Sequence, residues 1–334
     1  MLVAGLLVIG ALAARDGIFE AAGALAARAP GGGATLLVLL LALDALVTVV
    51  LNLDTAVVFL TPILVHAARR RGLGEAPFLY GSVFMANAAS LLLPGSNLTN
   101  LIVLAREHVA GARFAALMLP AWGASVVVVT VGLVAIFRRP LSAAARHDGS
   151  QAGARLGAGA AGVAGAAALV LVLHDPALPV LGLAVALAAL GRAKPRAVAR
   201  AANPLLLLGV FGVAVGLGTL ARSIHWLATL TTHTGRWASA GVATLAAVLV
   251  NNLPAAVMLS ARTPAHPRAL LVGLDVGPNL AITGSLSAVL WLQVGRAAGA
   301  RPSVRRYSLL GLVLAPAGIA AALGLVTLLD SVGY

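Results

Sequence analysis

Three carboxylates, Asp44, Asp54 and Asp275, stand inside runs of Leu, Ile, Val and Ala. A carboxylate at the centre of a bilayer costs about 2.5–3.5 kcal/mol on insertion scales, so each is a functional candidate by default. Two of them belong to polar knots. Asn52, Asp54 and Thr55 interrupt one apolar stretch, and Asn251 and Asn252, followed by Pro254, interrupt another. Pro94-Gly95-Ser96-Asn97-Leu98-Thr99-Asn100 breaks a third, and Asp275 precedes Gly277-Pro278-Asn279, with Thr283 and Ser285 a few residues on. Amide, hydroxyl and backbone groups in such knots can hydrogen-bond an anion or a hydroxylated solute, and helix N-termini aimed at a break favour negative charge. Asp54 and Asp275 add a candidate for proton coupling, because an intramembrane carboxylate can take a proton from one side and release it on the other. The seven His residues fall at or near loop ends without metal-ligand spacing, so no metal site is expected, and nothing in the chain asks for a cofactor.

The elements that carry these residues are set by composition. Of 334 residues 60% are hydrophobic and 10% charged, against about 25% charged in a soluble domain. Apolar runs recur without the alternation of a barrel strand, which predicts an all-α integral membrane protein. With no Cys, disulfides and thiol chemistry are excluded. The 37 Gly residues suit close helix packing in lipid; a GC-rich bacterial genome is the larger expected cause. The net charge of +13 does not indicate nucleic acid, because the basic residues sit in short loops between apolar spans. Residues 1–14 lack a basic n-region and read as a span or signal anchor.

Several apolar segments are too short to cross a core of about 30 Å, and they come in pairs split by the knots. Residues 34–67 and 237–261 are predicted as re-entrant hairpins, and 77–105 and 269–294 as broken transmembrane helices. This arrangement puts Arg15, Arg28, Arg69, Arg70, Arg71, Arg138, Arg139, Arg146, Arg155, Arg192, Lys194, Arg196, Arg200, Arg296, Arg301, Arg305 and Arg306 on one side. Only Arg106, Arg113, Arg222, Arg236, Arg262 and Arg268 fall on the other. The rich side is then cytoplasmic and both termini lie outside.

The order span, amphipathic segment, hairpin, broken helix, final span occurs twice, with opposite sidedness. The stretch at 51–62 is similar to 250–261, and 87–105 to 276–294. That is the inverted repeat of a secondary transporter, with the solute near the midplane between broken elements. The expected division is 1–137 for the first repeat, 138–157 for a basic cytoplasmic loop and 158–334 for the second repeat. Segments 158–174 and 177–191 have no counterpart ahead of residue 1, so the first repeat is expected to lack two helices. On this reading Pro94 to Asn100 is an unwound crossing, since bare backbone is tolerated at that depth only where it lines a site or is buried in protein. An extramembrane loop is the plain alternative. Helix capping is the alternative role for Asp54 and for Asn251 and Asn252, and Asp44, in mid-helix, is expected to pair with a neighbour.

The phrases "GIFEAAGALAAR", "LNLDTAVVFLTPI", "GSNLTNLIV", "NNLPAAVMLSA" and "GLDVGPNLAITGSLSAVLWLQV" resemble the arsenical pump membrane protein (arsenite permease) family of the ion-transporter superfamily. The divalent-anion/sodium symporters are relatives. The chain departs from that pattern at Leu53, where the family has Asn, at Asn87, where it often has Asp, and at Asn279, where it usually has Lys. The resemblance implies a proton-coupled secondary transporter that exports arsenite or antimonite across the inner (plasma) membrane, with Asn52, Asp54, Thr55, Ser96, Asn97, Thr99, Asn100, Asn251, Asn252, Asn279, Thr283 and Ser285 toward the solute. The partners it implies are a small inorganic solute, a coupling ion (proton or sodium) and membrane lipid. A homodimer and a soluble ATPase subunit docked on the basic loops are left open. The alternatives are a permease of the same fold for another anion, carboxylates included, or a cation/proton exchanger. An intramembrane aspartyl protease is disfavoured, because no paired catalytic motif surrounds Asp44 and Asp54; no enzyme activity is expected.

Overall fold

Lipid offers backbone groups no water, so a chain this apolar satisfies them along its own helices. The structure, a computed structural model, describes residues 1–105, 109–142, 157–173, 175–202 and 230–331, with scattered positions between 203 and 229. All regular elements among the described residues are helical. The first part holds α1 (Leu2–Arg15), α2 (Ile18–Arg28), α3 (Gly33–Val50), α4 (Leu53–Arg70), α5 (Ala76–Ala89), α6 (Leu98–Leu104), α7 (Gly111–Ile136) and a short α8 (Arg138–Leu141). The second holds α9 (Ala158–Val172), α10 (Ala177–Leu190), α11 (Pro195–Ala202), α12 (Arg236–Val250), α13 (Asn252–Leu259), α14 (Pro267–Val276), α15 (Leu286–Ala297) and α16 (Val304–Ser331). Most of the basic loop 138–157 lies outside the described residues.

Among the described residues three helices are long and apolar enough to cross a membrane: Gly33–Val50, Gly111–Ile136 and Val304–Leu329, with mean hydropathies of 2.4, 2.1 and 2.3. α1 and α2 pass the same test together but bend by 59°. Gly17 sits at that bend with φ +74°, a conformation glycine adopts without the clash of a Cβ.

The order hairpin, broken helix, long helix occurs twice, in α3 to α7 and in α12 to α16. The first hairpin turns at Leu51 and Asn52, the second at Asn251. Between α5 and α6 the helix gives way to a 3-10 turn, Pro94–Ser96, and between α14 and α15 to two, Gly277–Leu280 and Ile282–Gly284.

The two hairpins open toward opposite ends of the bundle. At one end the buried Arg71 guanidinium donates to Ala27 O at 2.5 Å and Gly31 O at 2.7 Å, tying the end of α2 to the base of the first hairpin. Arg69 donates to Glu75 and to the carbonyls of Ala298 and Gly299 past the end of α15. Ser303 N donates to Tyr80 Oη at 2.9 Å. At the other end Ala265 N donates to Thr231 O, and Thr231 Oγ1 to Leu259 O at the foot of the second hairpin. α13 and α6 run side by side toward this end, and α4 and α15 toward the first.

α9 and α10 flank α1, with Gly159 on the backbone of Ala13 and Gly5 against Val180. Arg15 donates to Gly191 O, and Asp16 accepts from Gly159 N at 2.8 Å. An aromatic nucleus joins the two broken-helix units. Tyr80 and Trp291 lie 5.3 Å apart, Trp291 and Tyr307 5.5 Å, and Phe84 and Tyr307 5.0 Å between ring centroids. Their polar atoms are used: Trp291 Nε1 donates to Leu79 O at 2.7 Å, and Tyr307 Oη to Pro278 O at 3.0 Å. Buried aromatic polar atoms ordinarily find such partners.

Candidate solute site at the helix starts

Each of the four inner helix segments begins with a residue that caps it. Asn52 Oδ1 accepts from Thr55 N at 2.8 Å, and Asn97 Oδ1 from Thr99 N at 3.2 Å. Asn251 Oδ1 accepts from Leu253 N at 3.3 Å, and Ser285 Oγ from Ala288 N at 3.2 Å. An N-cap satisfies one of the free amides of the first turn and leaves others pointing ahead of the helix. These starts meet at one cavity, lined by Leu53, Asp54, Asn97, Leu98, Asn252, Leu253, Ser285, Leu286 and Ser287. Its free space is about 10 Å³, on the order of a single water.

Behind the cavity a polar network holds the first break. Asp275 Oδ1, at the end of α14, accepts from Asn97 Nδ2 at 3.0 Å and from Thr99 Oγ1 at 2.5 Å. Asn97 Nδ2 also reaches Ser90 Oγ at 3.1 Å. Asn100 Nδ2 donates to Ser90 O and Leu93 O, and Ser96 Oγ is shared between the same two carbonyls. The unwound backbone is thus satisfied by its own side chains, as buried backbone must be. Asp275 Oδ2 and Asn100 Oδ1 remain buried without a partner.

The expected site residues therefore divide. Asp54, Asn97, Asn252 and Ser285 line the cavity. Ser96, Thr99, Asn100 and Asp275 build the network behind it, and Asn279 bonds to Asn87 rather than to open space. Asn251, at φ +80°, turns aside and donates to Thr283 O at 3.1 Å, while Thr283 Oγ1 donates to Val248 O. Those two fasten the second hairpin to the second break. Asn52 caps α4, and the Thr55 side chain lies against Gly10 of α1. Asp44 corrects its expectation: among the described residues it pairs with nothing, and both oxygens are buried without a donor. Two residues were missed. Ser287 lines the cavity and bonds Ser285 Oγ at 2.8 Å, and Ser90 anchors the break. The repeated serine in Gly-Ser-Leu-Ser, 284–287, was the signal for the first; a lone serine ending an apolar helix gave none for the second.

A comparison with curated protein sequences gives no match. Among solved structures the chain is similar to the YdaH transporter of Alcanivorax borkumensis, with a TM-score of 0.62 over 100% of this chain and 85% of that one. At 16% identity that likeness speaks for the fold alone. The family pattern described as CitMHS, citrate transporter, matches residues 1–283. The sequence phrases pointed to arsenite permeases; a transporter of the ion-transporter type is common ground, and the arsenical specialisation is not carried by the match. The chain belongs to the citrate transporter family, and it is a multi-pass integral membrane transporter, not an enzyme.

Proposed function

We propose that the protein moves a small carboxylate anion of the citrate class through the cavity at the helix starts, as a secondary transporter. The observation that carries this is the meeting of helix N-termini there. α4, α13 and α15, of 18, 8 and 12 residues, all aim their positive ends at one point, and free first-turn amides with that dipole bind carboxylates. The family's name supports the same solute class.

Asp54 gives the coupling. It lines the cavity, where an ionised carboxylate would repel an anionic solute. A proton on Asp54 removes that repulsion, so anion and proton enter together. A space of about 10 Å³ is too small for a carboxylate solute, so the tips at Asn52 and Asn251 must part to admit one. By the positive-inside rule, the end that gathers Arg28, Arg69, Arg71, Arg138 and Arg301 faces the cytoplasm of a plasma membrane. An ion gradient suffices as the driving force, so neither a second copy nor a soluble ATPase subunit belongs to the proposal.

Export of arsenite is the second reading, and one observation favours it: among the described residues neither Lys nor Arg lines the cavity, and amides and hydroxyls suit an uncharged trihydroxide. Proteoliposomes with an imposed proton gradient separate the two. Gradient-driven accumulation of radiolabelled citrate or another carboxylate, lost in Asn252→Ala, supports the first reading. Arsenite flux without carboxylate flux transfers the support to the second.

A further inference from the structure

Asp44 has no exposed surface, and neither carboxylate oxygen meets a donor. Thr48, one turn further along α3, is enclosed in the same way and its Oγ1 is without a partner. So is Ser125 Oγ on α7. Three polar side chains left unsatisfied on two helices that touch, α3 and α7, need an explanation, because each costs free energy unless something is bound there.

They belong to facing helix stripes. Leu37, Leu41, Asp44 and Thr48 follow the spacing of a single helix face, as do Leu133, Val129 and Ser125. Leu37, Leu41 and Leu133 meet over Gly81, and Gly33, which opens α3, lies against Leu141 just beyond α7. The two helices therefore run antiparallel. Rising by about 1.5 Å per residue along each, the level of Asp44 and Thr48 is the level of Val129 and Ser125.

We propose that Asp44, Thr48 and Ser125 form a binding site for a monovalent alkali cation of sodium size, distinct from the cavity at the helix starts. The four side-chain oxygens are hard ligands of the kind alkali and alkaline-earth cations take. A single carboxylate matches a single charge. The two hydroxyls are free for it: serine and threonine in helices commonly bond the carbonyl four residues back, and these two do not. The charged groups of the neighbouring elements lie at helix ends: Arg69 pairs with Glu75, Arg138 and Arg139 follow α7, Arg113 opens it, and Asp54 stands at the hairpin tip. Asp44 therefore has no protein cation beside it among the described residues. A bound cation would neutralise it and clamp the first hairpin to α7. That couples cation release to hairpin movement, whatever solute the hairpin admits.

The purified full chain in detergent tests this without any solute, so failure of the carboxylate proposal leaves the outcome readable. Sodium chloride should raise Tm by several degrees over equimolar choline chloride, and radioactive sodium should bind saturably. Asp44→Asn should keep the helical circular-dichroism signal and lose both effects, and Ser125→Ala should weaken sodium binding several-fold. Equal Tm in sodium and choline overturns the proposal, as does sodium binding by Asp44→Asn at parental affinity. Should Asp44→Asn not fold, Thr48→Val and Ser125→Ala decide, and unchanged sodium affinity in both overturns it.

Discussion

Asn87 Nδ2 donates to Asn279 Oδ1 at 2.9 Å, and neither residue has exposed surface. The bond joins the two broken helices, and its members are used further: Asn279 Nδ2 donates to Phe84 O at 3.3 Å and Ser287 Oγ to Asn87 Oδ1 at 3.5 Å. Asn87 and Asn279, two of the positions at which the chain departs from the residues the arsenite permease resemblance implies, thus meet in space as one amide pair.

A charge placed on one member alone should therefore be poorly tolerated. Asn87→Asp and Asn279→Lys should each destabilise by about 3–5 kcal/mol, the cost of one uncompensated buried charge. The double variant should recover most of that loss. Tm of the three purified variants measures it, and additive losses in the double variant would mean that the two side chains do not interact.

Asp275 holds Asn97 and Thr99 together. Asp275→Ala leaves two buried donors unpaired, at roughly 1–3 kcal/mol each. Thr99→Val removes one donor and should cost less. Because Asp275 Oδ1 serves both donors, the two substitutions should be non-additive in a double-mutant cycle. Chemical denaturation in detergent reads the three losses, and strict additivity would count against the shared acceptor.

Asp54→Asn should insert and fold normally, because it leaves the Asn52 cap intact. It should lose accumulation driven by the proton gradient while keeping solute exchange across the vesicle. Parental accumulation with the parental pH dependence would reduce Asp54 to a first-turn residue of α4.

The chain has no Cys, so single cysteines can be introduced into the native background. Arg70→Cys, at the base of the first hairpin, and Arg262→Cys, at the base of the second, should label from opposite faces of the membrane. Labelling from the same face would contradict hairpins that open toward opposite ends.

Both hairpins and both breaks were legible because polar residues inside apolar runs are tolerated only at such places. The division of labour among those residues was not. Whether an Asn caps a helix, lines a cavity or reaches a distant carbonyl depends on what the fold brings beside it, as Asn252 and Asn251 illustrate from adjacent positions. Asp44 looked like half of a pair because mid-helix charges usually are. Its isolation is a property of α7, about 80 residues away in sequence, which offers a serine and a valine at that level. Glycine content read mainly as genome composition, and for Gly182 and Gly241, which face open space, nothing in the structure disagrees. Gly111 on Val170 O, Gly273 on Ala240 O and Gly311 on Asn279 O are different, since a methyl group at any of them would collide with backbone.

The bonds from Asn97 and Thr99 to Asp275 also set an order in time. α6 has seven residues, too few to be stable alone, and the break before it is completed by a carboxylate 176 residues further on. At a synthesis rate of about 5–20 residues per second, roughly 9 to 35 seconds separate the emergence of Thr99 from that of Asp275. Through that interval Thr99 Oγ1 is without the carboxylate that accepts from it, while Ser90, Ser96 and Asn100 already satisfy the break from within the first half. The network around the first break is therefore completed only when the second half arrives.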